Sequence, residues 1–309
     1  PKASSTSSAA WSSSPRLMMQ RVRRAVERTL KQRQARGMAA SWLGFVVVSL
    51  VVFLAFSDGD FSFLLTFSSL FRCFSMLLLV AKLQRSGSAA GVSAKSLHCY
   101  GVVFAARLCS ILRHEGYLPY DRSGDWLYHC IEGASLMATC ACVVLVHGTY
   151  AASYEEHNDA FIRVPNLPSQ LAALVVLAPC ALLACVLHPA LNRDWFSDVN
   201  WAFSMYAESF AILPQLFLFQ KQAAVAATVE PLIGHFVAAL GFSRIVEMAF
   251  WMSSFTELSD RNGSRSVGGI VLACQIIHLI IMADFFYFYI SALKKGLPMQ
   301  LPSYTSNSV

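Results

Sequence analysis

The sequence predicts an all-α integral membrane protein, and three observations lead to that class. Hydrophobic residues make up 56% of the 309-residue chain and charged residues only 14%, whereas a soluble domain carries roughly 25% charged residues. The mean hydropathy is +0.50. Apolar stretches of about the length that spans a bilayer as a helix recur along the chain. We predict spans at 40–57, 61–81, 97–112, 127–148, 167–187, 199–219, 232–252 and 267–292.

The segment before the first span is a basic arm. Residues 1–38 contain nine basic residues and one acid, so the arm carries +8 and the rest of the chain −2. Its first 14 residues are Ser-rich and unstructured by composition, and residues 16–36 predict an amphipathic helix. The residues that would contact anionic lipid or a partner are Arg21, Arg23, Arg24, Arg28, Lys31, Arg33 and Arg36.

The composition of the arm allows two interpretations. Arg-rich, Ser-rich and acid-poor segments are typical of organellar targeting peptides, but a cytosolic arm lying on anionic headgroups has the same composition. The chain begins at Pro1 rather than Met, so we expect a processed or truncated N-terminus. The distribution of Lys and Arg in the loops predicts both termini on the cytosol or matrix side.

Several classes of function are not predicted. The sequence contains no HExxH, GxSxG, Walker A or GxGxxG motif, and its eight histidines are scattered. It also lacks a CxxC pair, and its nine cysteines lie in or beside apolar runs, as small buried hydrophobes do. We therefore expect no enzyme, no cofactor and no metal site. Nucleic acid is not an expected partner either, because basic residues cluster only in the arm.

Charged residues inside the predicted spans are the most informative feature. Such residues are costly in hydrocarbon, so each is expected to face the bundle interior and to find an opposite charge. Glu208, in the run WAFSMYAESFAILPQL, is expected to pair with Arg244. The full set can line a cavity or hold the helices together, and it comprises Arg107, Glu208, Arg244, Glu247 and Asp284.

Several motifs follow one another in an order that resembles the KDEL receptor family, the ER lumen protein retaining receptors. They are AGVSAKS (90–96), VVFAARLCSIL (102–112), WAFSMYAESFAILPQLF (201–217), ALGFSRIVEMAFW (239–251) and ADFFYFYISALKKG (283–296). The resemblance implies a seven-helix bundle similar to PQ-loop and SWEET transporters, with two triple-helix repeats and a linker helix. The helix at 40–57 is then one extra N-terminal transmembrane helix. The implied parts are the arm (1–38), the extra helix and turn (39–60), the receptor-like domain (61–302) and a polar tail (303–309).

The resemblance also implies a ligand site, which is only partly retained. In that family a lumen-facing cavity binds the C-terminal KDEL or HDEL signal of ER proteins, and arginines capture its carboxylates. The ligand-binding positions that carry over are Arg107, Asp198 and Trp201, whereas the residues that look like retained internal braces are Glu208, Arg244 and Asp284. Several positions differ: two signal-binding arginines fall on Leu65 and Ser254, a pH-sensing histidine on Arg72, two tyrosines on Ser243 and Glu247, and an aspartate on Ser110.

These observations leave three hypotheses. The first is a non-catalytic accessory subunit of a large organellar membrane complex, with the mitochondrial inner membrane favoured by the arm. Its partners would be other membrane-protein subunits and anionic lipids. The second is a divergent Golgi-to-ER retrieval receptor that binds C-terminal signal peptides of ER proteins. The third is a PQ-loop-type transporter of small solutes, with Pro214 as a hinge.

Overall fold

The computed structural model describes residues 15–57, 63–114, 125–161, 171–190, 194–226, 229–256, 266–296 and 299–300. The chain divides into two compact units, residues 1–50 and 51–309. Within the described ranges the regular structure is entirely helical, which confirms the predicted all-α class. The α-helices are α1 (Pro15–Phe56), α2 (Phe63–Ser86), α3 (Ala94–Ile111), α4 (Asp125–Val144), α5 (Leu174–Val186), α6 (Trp195–Ala211), α7 (Leu213–Ala226), α8 (Pro231–Ser253) and α9 (Ser266–Lys295).

Helix α1 joins two segments that were predicted separately. The amphipathic part of the arm and the predicted span at 40–57 form one helix of 42 residues. After Pro15 the segment contains no proline, so no backbone donor is missing from its hydrogen-bond ladder. Large apolar side chains in its second half, including Leu43, Val46 and Val47, are exposed, as expected for a helix that faces lipid.

The second unit packs its helices in two groups. Helix α4 contacts both α2 and α3, and α9 contacts both α6 and α8. The two groups meet where α2 packs on α8 and α3 packs on α6, while the short helix α5 lies against α6. This order agrees with the two repeats and linker that the resemblance implies.

Six helices in the described part of the chain are long and apolar enough to cross a membrane. They correspond to six of the eight predicted spans, at 35–56, 63–86, 126–149, 195–222, 231–253 and 267–295. The other two predicted spans fall on shorter helices, α3 with 18 residues and α5 with 13. The protein is therefore an all-α membrane protein with shorter helices among its long ones.

The predicted span at 199–219 is made of two helices that meet at Ile212. Pro214 lies in the first turn of α7, where its missing N–H costs no helical hydrogen bond. The next residue, Gln215, accepts a hydrogen bond from Ser93 N at 2.9 Å and donates one to Gly91 O at 2.8 Å. The Pro–Gln pair therefore fixes the start of α7 to the segment that leads into α3.

Candidate binding site

The most highly charged part of the bundle interior is a cluster of three arginines and three glutamates contributed by five helices, here called the charge cluster. All six residues are buried, with at most 7% of the surface of any one exposed. They are Arg72 on α2, Arg107 on α3, Glu132 on α4, Glu208 on α6, and Arg244 and Glu247 on α8.

Glu208 lies between two arginines. Its Oε1 atom accepts a hydrogen bond from Arg244 Nη2 at 2.5 Å, and its Oε2 atom is ion-paired with Arg107 Nη2. The pairing with Arg244 is the one that we expected from the sequence. Glu208 therefore ties together α3, α6 and α8, which belong to both groups of helices.

Arg72 connects the remaining two glutamates. Its Nη1 atom donates to Glu247 Oε2 and its Nη2 atom to Glu132 Oε1, each at 2.7 Å. Glu247 Oε2 also lies 3.0 Å from Arg244 Nη1. A guanidinium is planar and stays charged, so it suits this forked contact with two carboxylates.

The formal charges of the cluster cancel, because three arginines face three glutamates. A buried charge without a partner is strongly destabilising, whereas paired and hydrogen-bonded charges are tolerated. The paired arrangement explains how six ionisable side chains remain inside a membrane bundle. It also means that every guanidinium already contacts at least one carboxylate of the same chain.

A small cavity opens beside the charge cluster. Its volume is about 20 Å³, which is room for about one water molecule. Its lining includes Arg107 and Glu247 of the charge cluster. The remaining lining residues are Leu65, Tyr128, Trp201, Ser204, Met205 and Trp251.

The predicted ligand-binding residues are distributed around this cavity. Arg107 and Trp201 line it, whereas Asp198 is buried one turn before Trp201 on the same helix. Trp201 and Trp251 pack edge to face, with ring centroids 6.2 Å apart. The cavity therefore combines an arginine with an aromatic wall, a suitable surface for a ligand that bears a carboxylate.

Asp284 does not lie in the bundle interior, where a residue that braces the helices is expected. The side chain is exposed on α9, whereas its helix neighbours Met282 and Phe285 are buried. One residue turns a side chain by about 100° around a helix, since 3.6 residues make a turn. Asp284 therefore points away from the face of α9 that packs on the bundle.

The predicted contact residues of the arm lie on α1, but most of their side chains fall outside the described residues. This applies to Arg21, Arg23, Arg24, Arg28, Lys31 and Arg33. Arg36 is described, and its side chain is exposed. The polar tail at 303–309 lies outside the described residues as well.

Two members of the charge cluster were not expected from the sequence. Glu132 was overlooked, although WLYHCIEGASLM contains a carboxylate inside a predicted span, the signal that singled out Glu208. Arg72 is singled out in the sequence only as a position that differs from the family, yet it contacts two glutamates of the cluster at 2.7 Å each. His278, on α9, is also buried, and neither of its ring nitrogens has a hydrogen-bond partner among the described residues.

A second polar feature marks the start of α6. Asp194 accepts hydrogen bonds from Phe196 N at 3.3 Å and from Ser197 Oγ at 2.8 Å, which caps the helix. Its Oδ2 atom also lies 3.0 Å from His114 Nε2. The Ser197 hydroxyl, the His114 ring and the nearby Arg113 lower the pKa of Asp194 to about 2.

Within the described ranges no group of three or more His, Cys, Asp or Glu side chains is arranged to hold a metal ion. The charge cluster and its cavity offer charged and aromatic side chains that can recognise a ligand by charge and shape.

Comparisons with known proteins agree with this architecture. The sequence profile of the family described as ER lumen protein retaining receptor matches residues 88–254. The ER lumen protein-retaining receptor of Drosophila melanogaster is 30% identical over 231 residues, which cover 74% of this chain and 94% of that protein. Receptor 2 of Xenopus tropicalis is 28% identical over 232 residues, 74% of this chain and 93% of that protein. The receptor of Petunia hybrida is 29% identical over 233 residues, 74% of this chain and 94% of that protein. The chain belongs to the ER lumen protein retaining receptor family.

Proposed function

We propose that this protein is a divergent retrieval receptor of the ER and Golgi membranes that binds the C-terminal carboxylate of signal peptides. The observation that carries the proposal is the position of Arg107, which lines the cavity and is paired with Glu208. Arginine is the side chain best suited to bind a carboxylate through two parallel hydrogen bonds. The comparisons favour this hypothesis over a mitochondrial accessory subunit, since the relatives reported above are named as ER lumen protein-retaining receptors.

Binding would proceed by exchange of carboxylates. Glu247 contacts Arg72 and Arg244 at 2.7 and 3.0 Å and also forms part of the cavity wall. A ligand carboxylate that pairs with Arg107 in the cavity would take the place of Glu247 there, while Arg72 and Arg244 keep Glu132 and Glu208 as partners. The exchange limits affinity, because a new contact of about 1.5–3 kcal/mol replaces an existing contact of the same kind.

The cavity must also enlarge before a peptide can enter. A volume of about 20 Å³ has room for a water molecule but not for a peptide terminus. We therefore propose that the ligand selects a more open arrangement of the two groups of helices. The free energy of that opening would be supplied by the ligand's preference for the open form.

The test is a titration of the full-length chain in detergent with fluorescent peptides that end in KDEL or HDEL. We expect saturable binding that is lost in Arg107→Gln and retained in Arg85→Gln. Arg85 is the matched control because it is an exposed arginine at the end of α2. Absence of binding to both peptides, or equal binding by Arg107→Gln, would reject the proposal.

A scaffold that has lost its ligand is the second candidate, and one observation favours it. The charge cluster is neutral without a ligand, because its three arginines already face three glutamates. In that case the bundle would act by packing against other membrane proteins, and anionic lipids would bind the basic arm. Purification from native membranes in a stable complex, together with no peptide binding, would support the scaffold instead of the receptor.

A further inference from the structure

Two histidines outside the charge cluster face each other through the same ring atom. The Nε2 atoms of His98 and His147 are 3.1 Å apart. Their ring planes differ by only 9°, and the ring centroids are 5.0 Å apart. Because the centroids are farther apart than the Nε2 atoms, the rings meet by their Nε2 edges. Both nitrogens are therefore directed at one small region of space.

The two histidines come from different elements. His98 lies in the first half of α3, and His147 lies in a π-helical turn, Leu145–Thr149, that follows α4. The π turn is closed by a hydrogen bond from Tyr150 N to Leu145 O at 2.8 Å. Such turns are rare and occur frequently at functional sites, since the extra residue redirects the side chains near it.

The side chain of His147 is supported from a second direction. The ring of Tyr154 packs edge-on against it, with centroids 5.9 Å apart. The Tyr154 hydroxyl donates in turn to Asp159 Oδ2 at 2.8 Å, and Asp159 Oδ1 accepts from Ser93 Oγ at 2.8 Å. Burial and the charge of Asp159 raise the pKa of Tyr154, so its hydroxyl keeps the proton that makes this contact. His147 is thus held near His98 by a chain of contacts that ends at the start of α3.

We propose that His98 and His147 bind a divalent late transition-metal ion, with Zn²⁺ as the preferred ion. Zn–N distances of 2.0–2.1 Å in a tetrahedral site place two ligand nitrogens about 3.3 Å apart. The observed separation of 3.1 Å is close to that value, so the rings need to move little. Imidazole nitrogen suits Zn²⁺, Cu²⁺ and Ni²⁺ and is a poor ligand for Mg²⁺ or Ca²⁺.

The rest of the coordination shell would be water. Among the described residues no third His, Cys, Asp or Glu completes a group with the pair. His147 and its neighbours Gly148 and Thr149 are exposed at the end of the candidate span 126–149, so the site is open at the surface of the bundle. A site with two protein ligands and bound water is open and exchangeable, unlike a structural zinc site with four protein ligands.

The protons can be accounted for without another reactant. In the neutral pair one imidazole donates its Nε2 proton to the other, so only one of the two Nε2 atoms carries a lone pair, and that lone pair accepts the hydrogen bond. A metal ion needs both lone pairs, which requires the donor ring to carry its proton on Nδ1 instead. The two rings remain neutral, and binding to the neutral pair releases no net proton.

The site does not depend on the proposed function, and it can be tested in the full chain. The protein is purified with a tag free of histidine, its cysteines are alkylated, and it is titrated calorimetrically with ZnCl₂ near neutral pH. Alkylation is needed because Cys109, Cys130, Cys140 and Cys185 are exposed thiols. The variants are His98→Gln and His147→Gln. The matched control is His157→Gln, which removes an exposed histidine from the loop that follows the π turn.

We expect one Zn²⁺ ion per chain, with affinity at least about tenfold weaker in either variant of the pair and unchanged in His157→Gln. With Cu²⁺, electron paramagnetic resonance should show two equivalent nitrogen ligands in the wild type and fewer in His147→Gln. Absence of Zn²⁺ binding would mean that the pair is a hydrogen bond only and would overturn the proposal. Equal losses in His147→Gln and His157→Gln would overturn it too, because the binding would then be unspecific.

Discussion

Arg72 donates a hydrogen bond to Glu247 at 2.7 Å inside the bundle. The family resemblance places a pH-sensing histidine at the first of these positions and a pocket tyrosine at the second. The resemblance thus implies that a buried ion pair stands here in place of two polar side chains. Because Glu247 lines the cavity, the proposed carboxylate exchange requires the ligand to compete with this ion pair.

Glu247→Gln should increase the affinity for a peptide with a free C-terminus. The substitution removes the carboxylate that competes for Arg72 and Arg244, and one such contact is worth about 1.5–3 kcal/mol, or about tenfold to a hundredfold in the dissociation constant. The measurement is the peptide titration described above. Glu156→Gln, at an exposed acid outside the charge cluster, should leave the affinity unchanged. Equal affinity in wild type and Glu247→Gln would argue against carboxylate exchange.

Glu208→Gln should destabilise the bundle more than any single change outside the charge cluster. Glu208 pairs with two buried arginines, and removing one partner of a buried pair costs about 3–5 kcal/mol. The unfolding midpoint in detergent is the readout. The control is Asp284→Asn, which changes an exposed carboxylate on α9 and should alter stability by less than about 0.5 kcal/mol. Similar midpoints for the two variants would contradict the brace role of Glu208.

The two carboxylates also show how far the sequence could predict the site. The position of Glu208 inside a predicted span, with Arg244 inside another, was enough to anticipate their pairing. The orientation of Asp284 was not predictable, because a shift of one residue along a helix moves a side chain to another face. The all-α class follows from composition, whereas the contact between α2 and α8 does not. Arg72 and Glu247 could therefore be recognised as partners only from the packing of those two helices.

Gly241→Val should destabilise the contact between α8 and α9. A Cβ atom at Gly241 would overlap the ring of Phe286 and lie 2.9 Å from Met282 Cε. Added carbon atoms in a packed interior typically cost about 1–3 kcal/mol. The matched control is Gly234→Ala on the same helix, where a Cβ atom meets nothing within 4 Å. Removal of an interior helical glycine should raise stability there by about 0.5–1 kcal/mol. An unchanged unfolding midpoint for Gly241→Val would contradict this prediction, because α8 and α9 could then move apart without a loss of stability.

Asp194 should make the stability of the bundle sensitive to acid. Its pKa is lowered to about 2 in the folded state, against about 3.9 in an unfolded chain. A lowered pKa stabilises the fold above the unfolded value, and this contribution is lost as the pH falls from about 4 to about 2. Asp194→Asn keeps a side chain that can cap α6 but removes the titration. The unfolding midpoints of the wild type and of Asp194→Asn should therefore converge as the pH falls through that range. A difference that stays constant with pH would contradict the lowered pKa of Asp194.

The most direct test of the receptor account compares one signal peptide in two forms, with a free C-terminal carboxylate and with an amidated C-terminus. Arg107 and the neighbouring arginines can pair with the first form but not with the second, which has lost its charge. We expect the wild-type chain to bind the free form at least about tenfold more tightly, with a further gain in Glu247→Gln. Equal affinity for the two forms, or no binding of either in both proteins, would contradict the account.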